Sequence, residues 1–287
     1  MAEILHNYSF LILLLSIIFS FIRVRKILVI STIFIGIIVA IIQKNIEPIG
    51  IIFPLILFLS SYVFAQKTTN NTIKFVMFCI IFILVALLSI HKLPGFNNVL
   101  LISGVKTSPQ ASPFELWANY DKILVASILL AAFYKPDLSF NIFIKMLNKN
   151  IHIILIFISM IIVLALTFGM IQFSPKIVNF LHIWIILNLV TVIAEESFFR
   201  LFFLNNLLEF ANTKKLQFVA LTASSIVFSA VHCCGNLYYV VLAFIASIFY
   251  GLLYINSGNR IEYSIIGHFS LNLIHILFFT YPWISIT

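Results

Sequence analysis

Three charged residues lie inside one of the longest apolar stretches of the sequence. Glu195, Glu196 and Arg200 follow the mostly apolar run 184–193 and precede the apolar run 201–204. Burying a charged side chain in a membrane helix costs about 2.5 kcal/mol or more on insertion scales. Glu196 and Arg200 are four residues apart, so they can pair on one helix face and offset much of that cost. Glu195 points about 100° away from Glu196, outside this pair, which favours a role as a proton acceptor.

Two further polar patterns lie on later apolar stretches. Phe228 and His232 are four residues apart, and His268 and Asn272 have the same spacing, which places each pair on one helix face. His232 alone is equally consistent with function and with packing. The His/Asn face predicts hydrogen bonds across a helical bundle or the lining of a wet cavity. His275 continues that face and is interpreted as a packing or cavity-lining residue.

These residue types together could hydrolyse an amide bond. A glutamate can accept a proton from water, and a histidine can hold that water or donate a proton to the leaving amine. A second histidine with an asparagine amide can stabilise an oxyanion. The sequence contains no GxSxG or HExxH motif and no evident Ser-His-Asp set. A purely structural ion pair accounts for Glu196 and Arg200 but does not account for Glu195.

The elements that position these residues are predicted to be membrane helices. The chain has 287 residues, of which 62% are hydrophobic and 9% charged, and its mean hydropathy is +1.15. Soluble domains are about 45–50% apolar and about 25% charged. The apolar runs are continuous and lack the alternation of membrane-barrel strands. We therefore predict an all-α fold, a polytopic transmembrane helical bundle of about eight to ten spans.

Ten apolar segments have nearly the length of a membrane span. They are 6–22, 27–43, 49–65, 75–91, 121–135, 151–171, 181–206, 216–232, 237–256 and 263–282. The odd-numbered connections between them hold eleven Lys and Arg residues, and the even-numbered connections hold five. Because cytoplasmic loops are enriched in Lys and Arg, we predict cytoplasmic odd connections and external termini. The net charge of +8 is concentrated in these connections, which argues against nucleic-acid binding.

The organisation of the chain is predicted in two parts. Residues 1–150 are interpreted as N-terminal transmembrane helices of unknown role, and residues 151–287 as a transmembrane catalytic core. The connection 92–120 contains three prolines and a short apolar stretch at 99–105. That stretch is too short to span a membrane. We interpret the connection as a plain loop, with an interfacial segment or a lid as the alternative.

The three motifs in their order resemble a known family. The patterns Glu-Glu-x-x-x-Arg, Phe-x-x-x-His and His-x-x-x-Asn are similar to those of the CPBP superfamily of CAAX proteases and bacteriocin-processing enzymes. This superfamily is also called the type II CAAX prenyl protease or ABI family. The stretch from Gly251 to His268 also resembles the family's approach to its third motif. The resemblance covers about residues 180–280 and not residues 1–150.

The resemblance implies a glutamate-dependent intramembrane endopeptidase. By this resemblance, Glu195 is the general base that activates water, and His232 helps to position that water. His268 and Asn272 would form the oxyanion site, with the neighbouring ion pair in support. The implied substrate is a membrane-associated peptide or protein, and the implied location is a bacterial inner membrane. The lipid bilayer is the other expected partner, and nucleic acid is not expected.

The resemblance implies that no cofactor is required for this chemistry. The alternative is a zinc ion at Glu195, His232 and His268, whose side chains are suitable ligands by type. Cys233 and Cys234 are poor co-ligands for His232, because residues adjacent in a helix do not share a face. With Cys79, they are interpreted as small buried hydrophobic residues.

Two other functions are compatible with intramembrane charges. A proton-coupled transporter could use the glutamates, histidines and arginine as a relay. The sequence shows no repeat between its halves, although such repeats are common in transporters. The second alternative is a catalytically idle immunity or scaffold protein of the membrane.

Overall fold

The chain forms the predicted helical fold. The computed structural model describes residues 7–22, 24–66, 70–136, 140–233 and 236–285. Each of the ten predicted apolar segments contains a helix within these ranges. Arg23 and Lys67, which entered the charge count of the loops, and Cys234 lie outside the described residues.

The helices follow the order of the apolar runs. They are α1 (Tyr8–Phe21), α2 (Lys26–Ile42), α3 (Ile52–Ala65), α4 (Asn71–Ser89), α5 (Tyr120–Phe133), α6 (Phe140–Thr167), α7 (Leu181–Glu196), α8 (Asn205–Glu209), α9 (Lys214–Ala230), α10 (Leu237–Asn256) and α11 (Ile261–Phe278). A 3₁₀ turn, Pro48–Ile51, precedes α3, and a π-helical segment, Ser197–Leu204, follows α7 directly.

Five of the described helices are long and apolar enough to cross a membrane. They are α3 with its preceding 3₁₀ turn, α4, α6, α10 and α11, and α1 and α2 are shorter apolar helices. These helices carry exposed apolar side chains on their outer faces, as bilayer-facing surfaces require. The prediction of an all-α transmembrane bundle is confirmed.

Side-chain caps mark where several helices begin. Asn70 accepts a hydrogen bond from the backbone N–H of Thr72 at the start of α4 (2.7 Å), and Asn236 accepts one from Tyr239 at the start of α10 (2.9 Å). Such caps satisfy backbone donors that have no partner inside the helix. Polar residues between the apolar runs therefore mark the starts of these two helices.

The connection 92–120 is more ordered than the plain loop that the sequence suggested. It contains two paired strands, β1 (Val99–Val105) and β2 (Phe114–Ala118). Side chains of β2 alternate between more and less buried positions from Phe114 to Ala118. The plain-loop interpretation is wrong, because pairing between the strands satisfies backbone groups that a loop would leave to water.

The chain divides into two compact units by packing. The first comprises Met1–Leu101, Trp117–Leu138 and Ile193–Phe202, and the second comprises Ile102–Leu116, Ser139–Val192 and Phe203–Thr287. The end of α7 and most of the π segment thus belong with the N-terminal helices. The functional division at residue 150 stays a prediction.

In the first unit, phenylalanines hold the π segment. The Phe202 ring lies 5.6, 5.1 and 5.5 Å from three rings on three different helices, namely Phe64 of α3, Phe78 of α4 and Phe133 of α5. Phe202 is fully buried. Aromatic pairs at these distances contribute beyond the area they bury. One role of the N-terminal helices is therefore to pack against the segment that follows the two glutamates.

The first unit also contains a buried carboxylate that is paired with a histidine. Nδ1 of His91 lies 2.5 Å from Oδ2 of Asp121, whose side chain is almost fully buried. Asn98 donates from Nδ2 to the same carboxylate (3.3 Å) and accepts from the backbone N–H of Tyr120 (2.8 Å). His91 follows the end of α4 at a φ of +56°, a left-handed conformation that non-glycine residues seldom adopt.

In the second unit, the residues before α7 anchor the end of α11. The backbone N–H of Ser174 donates to the Phe278 carbonyl, and the backbone N–H of Lys176 donates to the Leu277 carbonyl. The Lys176 ammonium donates to the Phe279 carbonyl as well. Burial lowers the pKa of Lys176. These bonds satisfy the carbonyls that a helix end leaves without partners, and they fix the helix that carries His268.

Candidate active site

The buried ion pair predicted from the sequence is present. Arg200 Nε lies 3.2 Å from Glu196 Oε2, and Arg200 Nη1 donates to Glu196 Oε1 at 3.3 Å. Glu196 is 0% and Arg200 1% exposed. A buried charge pair is tolerated when each charge compensates the other, and removing one partner is strongly destabilising. The pair joins the last turn of α7 to the π segment.

Glu195 differs from its neighbour in burial. It lies in the last turn of α7 and is partly exposed, whereas Glu196 is completely buried. Adjacent residues of a helix point about 100° apart, so two consecutive glutamates need not share an environment. The π segment begins two residues later, and π-helical turns occur frequently at functional sites. Glu195 belongs to the first unit.

His232 is held by the end of α9. The helix ends at Ala230, so His232 lies in the turn beyond it rather than inside the helix. Its ring stacks on Phe228 at 4.7 Å, and Nδ1 lies 2.8 Å from the Phe228 carbonyl oxygen. A carbonyl oxygen only accepts hydrogen bonds, so Nδ1 is the donor, and Nε2 takes no part in this bond. The predicted contact between Phe228 and His232 is present.

His268 shares Phe228 with His232. Its ring stacks on Tyr250 of α10 at 4.3 Å with an interplanar angle of 13°, and Phe228 meets it edge-on at 6.1 Å. His268 is 7% exposed. The structure therefore brings the two predicted imidazoles into contact with one phenylalanine within the second unit.

Asn272 lies one turn beyond His268 on α11, as the spacing predicted. Its Nδ2 donates to Oδ1 of Asn188 on α7 at 3.2 Å. Sequence reasoning missed Asn188. The available signal was an amide within the otherwise apolar run 183–190, because such a group in a membrane helix needs a partner.

Close helix packing brings α10 against α9. A Cβ added at Gly251 would lie 2.2 Å from Cδ1 of Leu221, so the Leu221 side chain would have to shift to admit it. Small residues permit such an approach between membrane helices. His275, beyond Asn272, lies with Nε2 3.0 Å from the Thr280 carbonyl and donates to it, which is a packing role.

Zinc coordination receives no support from the described part of the chain. Within it, no three His, Cys, Asp or Glu side chains are grouped closely enough to hold a metal ion. Cys79 is partly buried and Cys233 exposed, and both are free thiols. The expectation that Cys233 is a buried hydrophobic residue is therefore wrong, because the turn after α9 exposes it. The metal-free character of the site stays a prediction.

The family comparison matches the part of the chain that carries the three motifs. Residues 177–274 match the family described as type II CAAX prenyl endopeptidase Rce1-like. The match begins before α7 and ends within α11, so it includes every predicted site residue, and the resemblance seen in the sequence is confirmed. No curated protein and no solved structure matches the chain.

The family supports a CAAX-type protease in a membrane. It indicates a peptide or protein as the substrate class, and the long apolar helices indicate a lipid bilayer as the surroundings. Arg200 and Glu196 form a pair, His232 and His268 share one ring, and Asn272 binds Asn188.

Proposed function

We propose that this CAAX-type protease is a glutamate-dependent intramembrane endopeptidase. Glu195 acts as the general base, His232 positions the attacking water, and His268 with Asn272 holds the oxyanion. The substrate is a membrane-associated peptide or protein, and the protein acts as a multi-pass protein of a bacterial inner membrane. The chemistry requires no metal.

The hydrogen bond of His232 is the observation that carries this proposal. Its Nδ1 donates to the Phe228 carbonyl at 2.8 Å, so Nε2 lies outside that bond. A ring nitrogen that accepts a hydrogen bond can hold a water molecule by one O–H group and leave the other for a carboxylate. We assign that role to Nε2.

The register of α7 supports a joint role for Glu195 and Asn272. Glu195 follows Asn188 by seven residues, which is close to two helical turns, so both lie on the same face of this one helix. Asn188 is the residue that binds the Asn272 amide. The proposed base therefore lies on the same face of α7 as Asn188.

The proposed reaction is a direct hydrolysis. Water gives one proton to the Glu195 carboxylate while its oxygen bonds to the carbonyl carbon of the scissile peptide bond. The carbonyl π electrons move to the oxygen, which is stabilised by donors of His268 and Asn272. When the intermediate collapses, the C–N bond breaks, and the protonated Glu195 returns its proton to the leaving amine.

Peptide termini in membranes test this proposal. Membranes that contain the protein are compared with membranes that contain Glu195→Gln, which keeps the size of the side chain but cannot take a proton. New termini should appear only with the unsubstituted protein. Glu209→Gln is the matched control, because Glu209 is an exposed glutamate at the end of α8. Identical termini from the unsubstituted protein and from the Glu195→Gln variant would refute the proposal.

A further inference from the structure

We propose that Asn188 is a positioning residue, which orients the Asn272 amide for the oxyanion. This inference rests on the proposed function, because it assigns the support of one group of that site. Asn188 does not touch the substrate in this account. It acts only through Asn272.

The hydrogen bond between the two amides is the basis of the inference. Nδ2 of Asn272 has two N–H groups, and one of them is given to Oδ1 of Asn188 at 3.2 Å. The amide group is planar, so binding one N–H fixes the direction of the other. The second N–H then remains a donor with a set orientation, as an oxyanion site requires.

Asn188 lies in an apolar part of α7, where an amide without a specific purpose would be unfavourable. Asn188 is the only polar residue of α7 between Ile183 and Val190, apart from the indole N–H of Trp184. Transfer of an amide from water to an apolar environment is unfavourable unless a hydrogen bond compensates. Asn188 is partly buried, and its side chain binds a residue 84 positions later in the sequence. An apolar residue would fill this position at lower cost if helix packing were its whole purpose.

The different ways in which His268 and Asn272 are held on α11 also support a positioning role for Asn188. His268 lies one turn before Asn272 on α11, and it is fixed independently by stacking on Tyr250. The Asn272 side chain has no comparable ring contact among the described residues, so its orientation depends on Asn188. Removing the Asn188 side chain should leave the His268 ring in place, while the Asn272 amide loses its fixed orientation.

A double-mutant cycle in proteoliposomes tests this role. The probe is a fluorescence-quenched synthetic peptide that spans the cut identified by the comparison of termini. The variants are Asn188→Leu, Asn272→Ala and the double variant, each measured for kcat and KM. Thr191→Val is the matched control, because Thr191 is the other polar residue of the run 183–193. Thermal unfolding in detergent shows whether each variant is folded.

The expected result is non-additive. Asn188→Leu should lower kcat by about 10- to 100-fold with little change in KM, as misplacement of a catalytic group does. In the Asn272→Ala background the same change should have less than a roughly twofold further effect, because the amide that it orients is gone. Thr191→Val should leave kcat unchanged. If Asn188→Leu does not fold, Asn188→Ser takes its place in the same cycle with the same expectation.

Two outcomes would overturn the inference. One is an unchanged kcat for folded Asn188→Leu, and the other is a full loss, again about 10- to 100-fold, that persists in the Asn272→Ala background. Glu195→Gln in the same assay separates these outcomes from a failure of the proposed function. If Glu195→Gln cleaves at the normal rate, the proposed function fails. If it is inactive while the cycle is additive, only the role of Asn188 fails.

Discussion

Two polar clusters, one in each unit, differ in how fully their side chains are hydrogen-bonded. In the first unit, Asn98 bonds through its oxygen and its nitrogen, and the Asp121 carboxylate is bonded by His91, by Asn98 and by a backbone N–H. In the second unit, the Asn272 amide makes one hydrogen bond among the described residues, and His232 uses one ring nitrogen for a backbone carbonyl.

This difference suits one cluster to stabilising the fold and the other to binding a substrate. A buried polar group that is fully hydrogen-bonded contributes to a fixed structure, and it has no capacity left for a substrate. A group held by only part of its hydrogen-bonding capacity is oriented and still able to bind. The fully bonded groups thus fix the helices, and the partly bonded groups remain oriented donors and acceptors. Substitutions of these two kinds of group should therefore separate folding from turnover.

Breaking the buried ion pair should have the largest effect on stability. Arg200→Leu leaves the Glu196 carboxylate without its guanidinium partner, and such losses cost about 3–5 kcal/mol. We expect a large fall in the thermal midpoint of unfolding in detergent, together with loss of folded protein from membranes. Arg260→Leu is a comparison, since Arg260 pairs with Glu262 at the start of α11 and is less buried. Normal stability of Arg200→Leu would contradict a structural role for the pair.

Removing His232 should slow turnover without unfolding the protein. His232→Leu keeps an apolar surface against Phe228 but removes the nitrogen proposed to hold water. We expect kcat to fall by about 10²-fold or more, as for other acid–base groups, while the thermal midpoint changes little. His152→Leu provides a control at an exposed histidine of α6. An unchanged rate in His232→Leu would remove this residue from the mechanism.

Substitution of His91 should lower stability and leave turnover unchanged, which is the reverse of the effect expected at His232. His91→Ala loses the bond to Asp121 and should lower the free energy of unfolding by about 1–3 kcal/mol, the cost of leaving a buried group without this partner. His91→Gly should be about 1 kcal/mol more stable than His91→Ala, because glycine adopts the left-handed backbone of this position without strain. Both variants should keep the kcat of the folded protein. A loss of kcat at equal folded fraction would contradict a purely structural role for His91.

The sequence was sufficient for the parts of the fold that depend on local patterns. Continuous apolar runs predicted the helices, since a bilayer requires backbone groups to be satisfied within a segment. The spacing of Glu196 and Arg200 predicted their pair, and the spacing of Phe228 and His232 predicted their contact. Each of these contacts joins residues that are only four positions apart in the sequence, so local spacing was sufficient to predict them.

The remaining features depend on contacts between distant residues. The π segment from Ser197 to Leu204 packs Phe202 among rings that are 69 to 138 positions away in the sequence, and no local pattern specifies them. The pairing of β1 with β2 likewise requires two segments to meet. Asn188 was overlooked because an isolated amide in an apolar run becomes informative only when its partner is known.

The rate of peptide cleavage by Glu195→Gln tests the central claim most directly. It is measured in proteoliposomes beside the unsubstituted protein and Glu209→Gln, at equal amounts of folded protein. The account predicts a loss of about 10²- to 10⁴-fold in kcat for Glu195→Gln. It also predicts an unchanged rate for Glu209→Gln and unchanged thermal midpoints for both. Cleavage by folded Glu195→Gln within a few-fold of the normal rate would contradict a glutamate base.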